Sequence, residues 1–207
     1  MQDKKPILEY VVIFWLCLAM VGLTFSIFVL GMAMFGLLFT AIAVLIRQPE
    51  RLGEFRRPGR HLPLLMLILL FLLVLPGGPC PEDPGYWWSR LRIKLPFLVL
   101  PTVFVLLPAL TEANRRMVFR FAGLLLGLTT LVLTIYYIMH WPELSEAMKQ
   151  GRPLPVPQNH IRFSLFLVIV ALALVLDGLE SRSWIWLLLA AWLMVFLHIL
   201  AVRSGLM

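Results

Sequence analysis

The chain has 207 residues, 61% of them hydrophobic and 14% charged, with a mean hydropathy of +0.91. A soluble domain is about 45–50% apolar and about 25% charged, which excludes a water-soluble enzyme, a secreted disulfide scaffold and a disordered tail. Eighteen Lys and Arg against 11 Asp and Glu give a net charge of +7, but these cations stand between apolar runs, where they orient helices against the membrane potential and anionic lipid instead of gripping nucleic acid.

The apolar residues come in long blocks, as an integral membrane protein requires. No charge occurs from Tyr10 to Ile46, and a single helix of that length would reach about 55 Å, well beyond the roughly 30 Å of a bilayer core. The run is therefore a hairpin of two spans, with Gly22, Thr24 and Ser26 marking the turn. Further spans are expected at Leu62 to Pro76, Leu95 to Leu110, Met117 to Met139, Ile161 to Leu176 and Trp184 to Val202. The fourth contains Pro96, Pro101 and Pro108, which predict kinks. Period-2 alternation is absent from these runs, so helices are expected over a barrel. The predicted fold class is all-α: a polytopic integral membrane helical bundle of about seven transmembrane helices. Residues 1–207 read as one membrane domain.

Loop charges set the direction. Arg47, Arg51, Arg56, Arg57 and Arg60 place the loop after the second span in the cytoplasm, and parity then puts Lys4, Lys5, Arg115, Arg116, Arg120 and Arg182 on the same side. The N-terminus is expected to be cytoplasmic. It is also expected to be retained, because the apolar run outlasts a signal core and the bulky Leu16 before Cys17 does not suit a lipoprotein cleavage site. The outer segments are Gly77 to Lys94, His140 to His160 and whatever follows Val202. Pro142, Gly151, Pro153, Pro155 and Pro157 predict that the second is largely irregular.

Seven cations fall on the outer side by this count: Arg90, Arg92, Lys94, Lys149, Arg152, Arg162 and Arg203. Four acids accompany them: Glu82, Asp83, Glu143 and Glu146. A positive outer rim runs against the orientation rule and is therefore informative. Arginine at a membrane boundary is costly unless it pairs or binds an anion, and its planar fork suits phosphate oxygens. A lipid-linked diphosphate carries its charge at this depth. Arg90, Arg92 and Lys94 are read equally well as snorkelling residues beside the interfacial anchors Trp87 and Trp88. Arg162 is harder to dismiss in that way, since a cation at a helix start opposes the helix dipole. Arg203 reads equally as a flanking residue, and His160 as a cap or surface residue. His140 and His198 read as interfacial or core residues, and Asp177 and Glu180 as interfacial charges. The four histidines show no metal-ligand spacing, and no nucleotide-binding or hydrolase fingerprint is present. No metal or cofactor is expected.

Three stretches carry a resemblance. Tyr86-Trp87-Trp88-Ser89-Arg90-Leu91-Arg92-Ile93-Lys94-Leu95-Pro96 resembles the segment before the fourth span of the bacterial O-antigen ligase/polymerase-like membrane glycosyltransferases. Pro157-Gln158-Asn159-His160-Ile161-Arg162-Phe163-Ser164 is similar to an outer loop-to-helix junction in one branch of that family. Ala201-Val202-Arg203-Ser204-Gly205-Leu206 is similar to the opening of its core ligase domain.

The resemblance implies a multi-pass protein of the bacterial inner (cytoplasmic) membrane, engaged in lipopolysaccharide biosynthesis or related assembly of the cell envelope. Its partners would be the lipid bilayer, an undecaprenyl-diphosphate-linked glycan and a glycan or lipid acceptor. Arg203 and Arg162 match the family's diphosphate-holding arginines, Arg90, Arg92 and Lys94 match its pattern, and His160 is a possible supporting residue. The family's proposed base is a histidine on a later, large periplasmic loop without a counterpart in these 207 residues. The expectation is an amino-terminal part ending at the start of the core ligase domain and inactive alone. Two other classes stay open: a transporter or flippase-like membrane protein, and a structural subunit of an envelope complex.

Overall fold

The computed structural model describes residues 5–50, 53, 66–73, 94, 96–107, 109–149 and 154–201. The described residues are all-helical, with no strand among them. In chain order the helices are α1 Lys5–Phe25, α2 Ile27–Arg47, α3 Pro96–Leu106, α4 Glu112–Met139, α5 Trp141–Lys149, α6 His160–Ser181 and α7 Trp184–Ala201, with a further helical stretch at 66–72. Four of the described helices are long and apolar enough to cross a membrane: Ile7–Phe25, Ile27–Arg47, Glu112–Met139 and His160–Ser181. Pro96–Leu106 and Trp184–Leu200 are apolar but shorter. Large apolar side chains lie open on these helices, such as Phe28 at 75% and Ile46 at 78%, as lipid-facing surfaces require.

The chain forms two compact units. One comprises Met1–Trp15 and Met32–Leu110, the other Leu16–Gly31 and Thr111–Met207. In the first unit the Trp15 indole lies against Gly36, where a Cβ would collide with the ring. Ala33, Leu37, Ala41 and Val44 form the buried face of α2. Pro101 is buried inside α3, and the Thr102 hydroxyl donates to the Leu98 carbonyl at 2.7 Å, one turn back.

The second unit has its core among α4, α6 and α7, centred on Leu126, Phe163, Leu167, Leu174, Leu193 and Phe196. Met20 and Leu23 from α1, Leu144 from α5 and Val156 pack against that core. Small residues set the spacing. A side chain at Gly123 would press on Leu174, and one at Gly127 on Leu189, so α4 approaches α6 and α7 closely, as small residues permit between membrane helices. Midway along α4 the Trp192 indole N–H donates to the buried Thr130 hydroxyl at 2.8 Å, which itself donates to the Leu126 carbonyl. α6 and α7 are antiparallel and joined by two residues. Arg182 takes the left-handed conformation (φ 51°), and its N–H and that of Ser183 both turn back to the Gly178 carbonyl, closing orphan groups of the helix end.

Three features depart from the sequence reading. α5 occupies part of the segment expected to be irregular, because Pro142 sits in a first turn, where a missing N–H costs nothing. Glu143 near its start, Lys149 at its end and a Lys149–Glu146 pair at 3.1 Å favour the helix further. α6 continues five residues past the expected Leu176, and α4 begins five residues before Met117, because charges at those ends pair with one another. The break between the first two helices falls at Ser26, inside the expected turn. Of the expected span Leu62 to Pro76, residues 66–73 are described and are helical over 66–72, and the remainder lies outside the described residues.

Candidate functional site

The second unit gathers polar side chains at both ends of α6, about 22 Å apart over the 15 residues from Arg162 to Asp177. At the end shared by the start of α4, the end of α6 and the start of α7, the polar groups satisfy one another. Asp177 is buried at 6% exposure. It accepts two hydrogen bonds from Arg120, Nε to Oδ2 at 2.7 Å and Nη2 to Oδ1 at 3.1 Å. The Arg120 guanidinium also lies 4.9 Å from the Trp186 ring centroid. Arg116 reaches Glu180 at 2.8 Å, Glu112 at 3.2 Å and Asp177 at 3.7 Å, and Arg115 reaches Glu112 at 2.7 Å. Asp177, read from sequence as an interfacial charge, is thus the buried centre of an interhelical clamp. Its partners lie more than fifty residues away in the chain, where local reading has no access to them.

The opposite end is differently built. Here the α1–α2 corner, the strap of residues 154–159 and the first turn of α6 frame an open groove of about 510 Å³ lined by Phe25, Ser26, Ile27, Gln158, Asn159 and Arg162. The corner is tight because residue 22 is glycine: a Cβ there would run into the Leu30 backbone. The strap is tied down along its length. Leu154 is buried in the core, the Tyr137 hydroxyl donates to the Pro155 carbonyl at 2.6 Å, and Gln158 Nε2 donates to the Gly22 carbonyl at 3.0 Å. Tyr137 is itself buried and stacks on Phe196 at 6.2 Å. Asn159 caps α6, its side-chain oxygen accepting from the Ile161 N–H at 2.9 Å.

Arg162 is exposed on this groove and has no carboxylate partner among the described residues, unlike Arg115, Arg116 and Arg120 at the far end. Its guanidinium lies beside the positive end of the α6 dipole, with no carboxylate among the groove's described lining residues. Ser26, Gln158 and Asn159 add hydrogen-bonding groups to the lining, and Phe25 and Ile27 add apolar surface. That arrangement can hold an oxyanion bearing an apolar chain. None of the six lining residues is a carboxylate or a histidine, so the groove offers binding groups and no proton acceptor.

The other sequence candidates fall differently. His160 opens α6 and is exposed, but a rotation of about 200° separates it from Arg162 around the helix, and it does not line the groove. Lys94 is helical and exposed in the first unit. Arg90, Arg92 and Arg203 lie outside the described residues. Sequence reading missed Gln158 and Ser26 as groove residues, because their role depends on a contact spanning 136 residues. Comparisons with known protein families, curated proteins and solved structures yield no match.

Proposed function

We propose that the protein is a membrane glycosyltransferase of the O-antigen ligase/polymerase type, handling an undecaprenyl-diphosphate-linked glycan at the periplasmic face of a bacterial inner membrane. In this reading the chain crosses the bilayer about seven times from a cytoplasmic N-terminus. The single observation that carries the proposal is Arg162, a cation without a carboxylate partner among the described residues, at a helix start on a groove lined by both polar and apolar side chains. The loop-charge count adds support, because it puts Arg115, Arg116, Arg120 and Arg182 on the cytoplasmic side and leaves Arg162 on the other.

Glycosyl transfer from such a carrier faces two demands: negative charge grows on the departing diphosphate, and the acceptor hydroxyl loses a proton. Fixed cationic donors in a poorly hydrated site meet the first. The second needs a base within hydrogen-bond reach, and the groove lining has none. In this reading the described groove binds the carrier, and the proton is taken by a group outside its lining.

The test is binding of undecaprenyl diphosphate by the chain in lipid nanodiscs. Loss of a hydrogen bond to a charged group predicts that Arg162→Ala weakens binding roughly ten- to hundredfold, with a further loss when Arg203→Ala is added. Inorganic pyrophosphate measured in parallel separates recognition of the head group from recognition of the whole lipid. Equal affinity for the wild type and both variants removes the site.

A further inference from the structure

The groove is framed by the α1–α2 corner, the first turn of α6 and the strap between them, so the strap's attachment decides the groove's width. Its first half is anchored by Leu154 in the core and by the Tyr137 hydroxyl on the Pro155 carbonyl. Its second half meets the α1–α2 corner through one hydrogen bond, from Gln158 Nε2 to the Gly22 carbonyl at 3.0 Å. That carbonyl already accepts the Ser26 N–H at 3.0 Å, so the same oxygen closes the helical corner and receives the strap. Asn159 and Arg162 follow directly in the chain and inherit the strap's position.

On the reading of the groove given above, we infer that Gln158 is a positioning residue. Its bond to Gly22 holds residues 154–159 against the α1–α2 corner and sets the width at which Arg162 meets an anionic lipid head group. Pro155 and Pro157 stiffen the strap, so one tie suffices to place it. Without the tie, the corner and the start of α6 are joined at this end only by packing, and the groove opens.

The test uses the 207-residue chain in nanodiscs with Gln158→Met, which keeps the side chain's length and removes the donor. Nitroxide labels on Phe28→Cys and Ile161→Cys, both at exposed positions flanking the groove, report its width by pulsed electron resonance without any ligand. Geranylgeranyl diphosphate and inorganic pyrophosphate serve as binding probes on unlabelled protein. The expected result is a longer and broader label separation, with affinity for geranylgeranyl diphosphate reduced about three- to tenfold, in line with one modest hydrogen bond, and a fall in thermal midpoint no larger than that of Tyr137→Phe. An unchanged separation overturns the inference, as does a changed separation with unchanged affinity in protein whose binding depends on Arg162. Equal affinity of wild type and Arg162→Ala rejects the diphosphate reading instead, and the label distances then judge the tie by themselves.

Discussion

Replacing Asp177 with alanine strikes the one carboxylate buried between helices among the described residues of the second unit. The side chain is 6% exposed and takes two hydrogen bonds from Arg120, whose own side chain is 33% exposed. Breaking a fully buried pair costs about 3–5 kcal/mol, and breaking an exposed one about 0.2–1 kcal/mol. Arg120 keeps its stacking on Trp186, and Arg116 keeps Glu112 and Glu180, so only part of the larger cost applies. A loss of about 2–3 kcal/mol follows, or roughly 30- to 150-fold in the unfolding equilibrium. Reversible unfolding in mixed micelles, followed by circular dichroism, measures it. The pairing itself is isolated by a cycle with Arg120→Met, in which Asp177→Ala/Arg120→Met destabilises by less than the two single changes combined, with a coupling on the order of 1–3 kcal/mol. A single-variant loss under about 0.5 kcal/mol, typical of ordinary surface changes, or no coupling in the cycle, refutes the clamp.

Other expectations come from the same unit. Tyr137→Phe removes the donor to the Pro155 carbonyl and costs about 1 kcal/mol; hydrogen exchange around residues 154–159 accelerates, while exchange near Asp177 does not. Thr130→Val leaves the Trp192 indole N–H unpartnered and costs about 1–2 kcal/mol, read by the same unfolding assay, and Trp192→Phe on that background restores part of it. Gly22→Ala forces the corner apart against the Leu30 backbone, an overpacking that costs about 1–3 kcal/mol. It should also lengthen the Phe28–Ile161 label separation.

The elements legible in the sequence were those fixed by local composition. A 37-residue uncharged run cannot be one span, and Ser26 among small residues is where it breaks. Helix ends were harder to read. The α4 and α6 ends carry Glu112, Arg116, Asp177 and Glu180, charges that look like loop residues one at a time and become helical when paired across the bundle. In α5 the prolines of the surrounding segment masked a good helix, since Pro142 breaks nothing at a first turn. Arg162 could be singled out because it contradicts two local rules, charge orientation and helix dipole. Its groove could not be foreseen, since Gln158 and Gly22 are brought together only by the packing of the corner onto the unit's core.

The two-residue link between α6 and α7 has a consequence for biosynthesis. On the proposed seven-span topology, Arg182 and Ser183 are too few to traverse a bilayer, so α6 ends and α7 starts at the same surface. In that proposed topology, whatever topogenic signal orients α6 during insertion orients α7 in reverse, and a charge swap at the link would invert both together or leave both in place.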